Sequence, residues 1–239
     1  MTLAGLGKEI SSCRLCPRLV EWRERVAREK KAAHRGEPYW GRPVPGFGDP
    51  GAKVLILGLA PAAHGANRTG RYFTGDRSGD FLFAALHRTG FSNSPVSRAI
   101  DDGVSLDSLW ISAAVRCAPP DNKPTPAERD NCLPYTAREL DLLPIEAIVC
   151  LGAFAWDAAL RLHNVRPKPK FGHGAEYRIP SGPTLLGSYH PSQQNTFTGV
   201  LKPEMLEAVL LRARELTADA PAAPPPSGHG DHTPATPIQ

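Results

Sequence analysis

The 239-residue sequence has few aromatic residues, two methionines, five cysteines and no long apolar run. No 18 consecutive apolar residues occur, which excludes a typical transmembrane helix. The sequence also opens without the basic segment, apolar segment and cleavage site of a secretory signal, so we expect a soluble, cytoplasmic protein. Disulfides are rare in such a reducing compartment, and clustered thiols there indicate a metal or catalysis.

A surplus of positive charge is slight overall and concentrated locally. The chain has 28 Lys and Arg against 24 Asp and Glu, a formal charge of +4, which weakly favours an anionic partner such as nucleic acid. Residues 14–35 carry a net charge of +5, more than the surplus of the whole chain, and four apolar residues recur there at helical spacing: Leu15, Leu19, Trp22 and Val26. The pattern predicts an amphipathic helix whose cationic face is either solvated or contacts phosphates.

Residues 53–76 are the stretch around which the chain is organised. The apolar run 54–57 has the length of a buried strand, and Gly58 and Pro61 end it. A loop at the carboxyl end of a buried strand is where open α/β folds place ligand sites. This loop gathers seven side chains that could line such a site, the alternative being an ordinary solvated loop: His64, Asn67, Arg68, Arg71, Tyr72, Phe73 and Asp76.

Strand-like and helix-like segments alternate along the rest of the chain. Strands are predicted over 54–57, 109–115, 147–151 and 184–188, and helices over 79–89, 126–143, 152–163 and 202–217. The alternation predicts an α/β fold with a parallel sheet covered on both faces. Residues 36–52 are too rich in Gly and Pro for a regular element, and the Pro-rich tail over 218–239 is expected to be disordered. We therefore predict one domain over residues 1–217.

Three predicted strand ends carry polar side chains that this topology would bring to one edge of the sheet. They are His64, Asp76, Asn122, His190 and Asn195. The convergence follows because the carboxyl ends of parallel strands meet at the same edge.

Four cysteines have a spacing that suits a metal site. Cys13 and Cys16 form a C-x2-C pair, and Cys117 and Cys132 are separated by 14 residues. Such a set could hold zinc or an iron–sulfur cluster, and spacing alone leaves both open. Cys150 lies inside an apolar strand and is interpreted as a buried core thiol.

Taken together, the motifs over about residues 10–217 resemble the uracil-DNA glycosylase superfamily, specifically its iron–sulfur-containing family 5 (type 5). The motifs are the following: Gly58-Leu-Ala-Pro61, His64-Gly, Asn67-Arg-Thr-Gly-Arg71, Phe73-Thr-Gly-Asp76, Arg116-Cys-Ala-Pro-Pro, His190-x-Ser-x-Gln-Asn195 and the paired cysteines. The resemblance implies a three-layer α/β/α sandwich with a central four-stranded parallel sheet. It also implies a [4Fe–4S] cluster bound by Cys13, Cys16, Cys117 and Cys132. We interpret this cluster as structural, since it would join the N-terminal segment to the rest of the domain.

The activity implied by this resemblance is that of a monofunctional DNA glycosylase. It would hydrolyse the N-glycosidic bond of uracil, and of other deaminated or damaged bases such as hypoxanthine, to initiate base excision repair. The expected partner is DNA carrying such a base, bound by a monomer that associates with the nucleoid of a prokaryote and with no membrane. No lysine is evidently poised as a Schiff-base nucleophile for strand cleavage.

The resemblance also assigns roles to individual residues. Asp76 would stabilise positive charge on the sugar and align water, and His190 would donate to the departing base. Base or DNA contacts are expected from Gly58, Ala60, His64, Asn67, Arg71, Tyr72, Phe73, Asn122 and Asn195, with Phe73 stacked on the flipped ring. The alternatives are purely structural roles: a helix N-cap for Asp76, a structural hydrogen bond for His190, core packing for Phe73 and a turn for Asn122.

The sequence departs from the pattern of related families at three places. Leu59 and Ala60 occupy the region where several families have an acidic residue, and Ala113 stands where others have a uracil-reading Asn. Ala62 replaces a frequent Gly. Two competing functions are a zinc-stapled nucleic-acid-binding module, which would leave the polar strand ends unexplained, and an electron carrier.

Overall fold

In the computed structural model, which describes residues 1–218, six strands form one sheet. In chain order they are β1 (Phe47–Gly48), β2 (Val54–Gly58), β3 (Leu109–Ala113), β4 (Ala147–Leu151), β5 (Glu176–Arg178) and β6 (Thr184–Ser188). Their spatial order is β1-β3-β2-β4-β6-β5. The four central strands are parallel, and the two edge strands run antiparallel to their neighbours.

The predicted α/β class and the central four parallel strands are confirmed, and two short antiparallel edge strands, β1 and β5, extend the sheet beyond the prediction. Residues 36–52 were expected to lack regular structure and contain β1, and β5 lies between the predicted helix over 152–163 and the predicted strand over 184–188. Both strands have only two or three residues, too few for an alternating pattern to be recognised. β1 depends on Gly48, which has a φ of +143° and whose β-carbon would overlap the carbonyl oxygen of Leu109.

Within residues 1–218, eight α-helices accompany the sheet; those predicted over 79–89, 126–143, 152–163 and 202–217 lie within two residues of their predicted boundaries, and the basic helix is shorter than the segment 14–35. They are α1 (Leu3–Ser12), α2 (Pro17–Glu29), α3 (Ala66–Thr69), α4 (Arg77–Arg88), α5 (Pro126–Leu142), α6 (Ala153–Leu162), α7 (Gln193–Phe197) and α8 (Pro203–Thr217). Across residues 1–218, none is both long and apolar enough to cross a membrane. Apart from Ala218, the tail predicted over 218–239 lies outside the described residues.

The core lies on both faces of the sheet because successive strand residues point to opposite sides. Ile56 packs on one side with residues of α4 and α8. Leu55 and Leu57 pack on the other with residues of α6. Cys150 is fully buried in this second cluster, which confirms its interpretation as a core thiol.

The predicted basic helix exists, but its cations are largely engaged within the protein. Arg14 pairs with Glu24 at 2.5 Å, and Arg18 pairs with Glu128 at 2.7 Å. Arg23 is buried. Leu15, expected on the apolar face, precedes α2 and is 63% exposed. The phosphate-contacting alternative therefore rests on fewer unpaired cations than the sequence indicated, since ion pairs and burial engage part of the charge.

A buried ion pair connects the loop after β3 to α5. Arg116 and Glu139 are almost fully buried, and Nη2 of Arg116 lies 2.7 Å from Oε2 of Glu139. Ser112 donates to the same carboxylate at 2.8 Å, and Arg116 donates to the Thr136 hydroxyl at 2.9 Å. Two desolvated charges are tolerated because nearly every lone pair and proton in the group has a partner.

We predict that Glu139→Gln lowers the free energy of unfolding by about 3–5 kcal/mol, because it leaves the Arg116 charge buried without a counter-charge. The matched control is Glu215→Gln, which removes an exposed carboxylate beside Arg212 and should cost about 0–1 kcal/mol. Urea unfolding of both variants measures the difference. Equal stability of the two variants would contradict the structural role of this pair.

Candidate active site

Side chains from the loops after β2 and β6 meet at the carboxyl edge of the sheet. The centroid of the Phe73 ring lies 6.0 Å from that of the His190 imidazole. Phe73 covers Gly58, the last residue of β2, where a β-carbon would lie 3.4 Å from the ring. A β-carbon at Gly152, which follows β4, would lie 3.7 Å from Cβ of His190. The ends of three adjacent strands therefore place an aromatic ring and an imidazole side by side.

Asp76 closes the loop after β2 and begins α4. Its Oδ1 accepts a hydrogen bond of 2.8 Å from the backbone N–H of Gly79, so Asp76 is the N-cap of α4. The same turn touches Phe73, because a β-carbon at Gly79 would overlap the Phe73 carbonyl group. The N-cap alternative is therefore confirmed, and it is compatible with a chemical role because a carboxylate has two oxygens.

The electrostatic surroundings of Asp76 oppose its ionisation. Burial raises the pKa of Asp76, and Asp80 acts in the same direction. The Gly79 N–H and the Arg68 guanidinium act against this increase. The partial positive charge at the start of α4 thus helps to hold a carboxylate that burial would otherwise neutralise.

His190 is held in its neutral form. Burial lowers the pKa of His190 to about 4. Asn195 donates from Nδ2 to the His190 carbonyl at 2.8 Å, and the backbone N–H of Asn195 donates to Ser192 at 3.4 Å. Asn195 therefore fixes the backbone that carries the imidazole. A neutral imidazole can donate one N–H to a ligand without bringing a charge into the site.

The structure places His64 against Tyr39, whose hydroxyl lies 3.0 Å from Nδ1 of His64. Burial lowers the pKa of His64, and the neighbouring cations Lys31, His34 and Arg68 add to the effect. A neutral His64 can therefore accept a hydrogen bond from Tyr39. The contact between Tyr39 and His64 could not be predicted from the sequence, because no short-range pattern links residues 25 positions apart.

Three predicted DNA or base contacts are buried inside the protein. Asn67 is fully buried and donates to the Arg23 carbonyl at 3.2 Å. Arg71 is buried and pairs with Asp102 at 2.7 Å. The Tyr72 hydroxyl donates to the Val44 carbonyl at 2.8 Å, and the ring is only 2% exposed. Direct contact of these three side chains with DNA does not fit their burial, so we correct that prediction.

The structure gives the local surroundings of two further predicted residues, Asn122 and Ala60. Asn122 is exposed in a 3-10 turn with a φ of +56°, a conformation that Asn tolerates better than most residues. Ala60 packs against the buried cluster that contains Cys117 and Cys132. The structure therefore places Phe73 beside His190, Asn195 on the His190 carbonyl and Asp76 at the turn that contacts the Phe73 backbone, and it supports the turn alternative for Asn122.

The four spaced cysteines line one small cavity beneath this edge of the sheet. Cys117 and Cys132 are buried, Cys13 and Cys16 are half-buried, and all four have free thiols. Arg23 donates to Sγ of Cys117 at 2.9 Å. Within residues 1–218, no group of three or more His, Cys, Asp or Glu side chains is arranged to hold a single metal ion. The four thiols thus line a common space.

Comparison with known proteins gives a consistent assignment. Residues 45–214 match the family described as the Uracil DNA glycosylase superfamily. A type-5 uracil-DNA glycosylase of Mycobacterium bovis is 57% identical over 219 residues, which cover 90% of this chain and 82% of the relative. That of Thermus thermophilus is 54% identical over 87% of this chain and 94% of the relative. A type-4 uracil-DNA glycosylase of Archaeoglobus fulgidus is 28% identical over 64% of this chain and 61% of the relative. The chain therefore belongs to the uracil DNA glycosylase superfamily, and within it to the type-5 group.

Proposed function

We propose that the protein is a monofunctional uracil-DNA glycosylase that initiates base excision repair. The observation that carries the proposal is the contact of the Phe73 ring with the His190 imidazole at the carboxyl edge of the sheet, next to the turn that begins at Asp76. These side chains offer a flat ring, a neutral N–H donor and a carboxylate. Hydrolysis of an N-glycosidic bond needs all three, because a base must be held while opposite charges develop on the base and the sugar.

The reaction begins when the damaged nucleotide leaves the duplex stack. Extrusion costs a few kcal/mol and least for a mispaired base, such as uracil opposite guanine. Phe73 is half-buried and reaches the edge of the sheet beside His190. Its ring provides the stacking surface for the flipped base, which is worth about 1–3 kcal/mol.

Asp76 and His190 act on the two charges that develop as the bond breaks. The carboxylate of Asp76 stabilises the positive sugar and orients the attacking water. The neutral imidazole of His190 donates to the base oxygen, where negative charge accumulates. Preorganised groups of this kind can each lower the barrier by about 3–4 kcal/mol.

The substrate range of the site is broader than uracil in our proposal. Ala60 and Ala113 stand at positions where related families carry an acidic residue and an Asn. Fewer polar groups face the base, so fewer are left without a partner when a different base enters. Other deaminated bases, such as hypoxanthine, are therefore included among the proposed substrates.

We propose that Cys13, Cys16, Cys117 and Cys132 bind a [4Fe–4S] cluster. The cavity is lined by four cysteine thiols, the ligand set of a [4Fe–4S] cluster, and within the described residues they are not arranged as a site for a single ion. Donors to Cys117 from Arg23 and to Cys16 from Asn131 at 3.5 Å suit thiolate ligands, whose sulfurs accept hydrogen bonds. A bound cluster would join α1 and α2 to α5 and the loop after β3, which is a structural role.

The protein is further proposed to act as a monomer with one catalytic domain over residues 1–217. Its DNA partner would place it at the nucleoid of a prokaryotic cell. The exposed remainder of the positive charge supports non-specific contact with phosphates.

The decisive experiment measures abasic-site formation on a labelled duplex with one U·G pair. We predict that Asp76→Asn reduces the single-turnover rate by about 100-fold or more, while duplex binding and stability persist because Asn is also a good N-cap. Asp101→Asn, at an exposed position, is the matched control and should cleave at the wild-type rate. Normal cleavage by Asp76→Asn would remove Asp76 from the mechanism, and absence of product from wild-type enzyme that binds the duplex would contradict the proposed function.

The pH dependence of the single-turnover rate should show one acid limb that belongs to Asp76. The rate follows the ionised fraction of Asp76, and because burial raises its pKa, activity is lost on acidification sooner than for an ordinary aspartate. His190, with a pKa of about 4, stays neutral from about pH 6 to 8 and adds no titration there. His190→Gln should therefore slow the reaction and keep the acid limb. Loss of a limb near pH 6.5 in that variant would show that His190 titrates instead.

Cluster binding is tested by alanine substitution of two buried cysteines, one expected to be a ligand and one expected not to be. We predict that wild-type protein and Cys150→Ala are brown and contain about four irons per chain, whereas Cys117→Ala is colourless and less stable. Iron analysis, visible absorption and thermal unfolding provide the readouts. Stoichiometric zinc in a colourless wild-type protein would contradict the cluster assignment.

A further inference from the structure

Gly65 lies directly against the carboxylate of Asp76. A β-carbon at Gly65 would overlap Oδ2 of Asp76 and lie 2.9 Å from Cγ. On the other side it would lie 3.2 Å from the β-carbon of Ala62, which leaves little room to shift away. The other oxygen, Oδ1, is bound to the Gly79 N–H. The carboxylate is therefore fixed on one side by a hydrogen bond and bounded on the other by a residue without a side chain.

Arg68 holds the backbone at Gly65 and the backbone at Asp76 together, so that they cannot separate to make room for a side chain at position 65. It is buried and donates from Nε to the carbonyl of His64 at 2.8 Å and from Nη2 to the carbonyl of Gly75 at 2.7 Å. These carbonyls belong to the residues that immediately precede Gly65 and Asp76. One rigid guanidinium thus sets the distance between Gly65 and Asp76.

We propose that Gly65 and Arg68 are positioning residues that set the orientation of the Asp76 carboxylate. The inference rests on the proposed role of Asp76 and goes beyond it. Gly65 provides the space that Oδ2 occupies, and Arg68 keeps that space constant. A methyl group at position 65 would rotate the carboxylate about its Cβ–Cγ bond, so that either the capping bond or the orientation toward the sugar is lost.

The first test compares Gly65→Ala with Gly36→Ala. Gly36 is exposed, and a β-carbon there would meet no atom of the described residues within 4 Å. We expect Gly65→Ala to lower the single-turnover rate on the U·G duplex by about 100-fold, the usual effect of a displacement of about 1 Å in a catalytic group. The dissociation constant for a duplex carrying a non-cleavable abasic analogue should change by less than about threefold, because no phosphate or base contact is removed. Gly36→Ala should leave both quantities unchanged.

The second test asks whether Gly65 acts through Asp76. The double variant Gly65→Ala/Asp76→Asn should be no slower than Asp76→Asn alone, since a mispositioned group that is already inactive cannot be impaired further. If the rate losses of Gly65→Ala and Asp76→Asn multiply in the double variant, Gly65 does not act through Asp76, and the inference is overturned. If Gly65→Ala fails to fold by thermal unfolding, Arg68→Lys enters the same cycle. Arg68→Lys keeps the positive charge near Asp76 but loses the planar guanidinium that binds both carbonyls. We expect it to lower the single-turnover rate less than Gly65→Ala, with the same lack of additivity toward Asp76→Asn.

The outcomes separate this inference from the proposed function. An inactive Asp76→Asn together with a fully active Gly65→Ala would overturn only the positioning role. A fully active Asp76→Asn would overturn the catalytic role of Asp76, and the positioning role with it, while cleavage of the U·G duplex by wild-type protein would still support the glycosylase activity.

Discussion

The hydrogen bond from the Gly79 N–H to Asp76 is the interaction on which the candidate site depends. It starts helix α4, fixes the end of the loop after β2 and holds one oxygen of the key carboxylate. Gly79 is required at this point because a side chain would overlap the carbonyl group of Phe73. One turn of backbone therefore positions both the ring that would stack on a base and the carboxylate that would face its sugar.

Buried arginines organise the loops around this turn. Arg68, Arg71 and Arg116 are each buried, and each binds an acidic side chain or backbone carbonyls from a distant segment. A guanidinium has five donors in a fixed plane, so it can satisfy several carbonyls that would otherwise be buried without partners. The irregular loops of this protein are thereby ordered without further helices or strands.

The same arginines explain how far the sequence alone could predict the structure. The parallel strands were predictable because each is a short apolar run flanked by glycine, proline or polar residues, and the strand ends also carry Phe73 and His190, whose rings lie in contact. Arg71 and Asn67 were assigned to DNA because a polar loop residue and a buried loop residue look alike in sequence. Only the partner distinguishes them, and Asp102, the partner of Arg71, lies 31 residues away. The edge strands β1 and β5 escaped prediction for a related reason, because their pairing is set by the neighbouring strands.

Burial shifts the two principal groups of the site toward neutrality, and the fold compensates only one of them. His190 faces no compensating charge, and its pKa falls to about 4. Asp76 receives the N-terminal dipole of α4 and the charge of Arg68, both of which favour the carboxylate. The result is a neutral donor at His190 and, at Asp76, a carboxyl group whose ionised form the fold partly stabilises. This combination suits a reaction in which the sugar becomes positive and the departing base negative, because a neutral imidazole adds no positive charge to a site where a sugar cation develops. The N-terminus of α4 thus distinguishes the two groups, since it favours the charged form of Asp76 and does not act on His190.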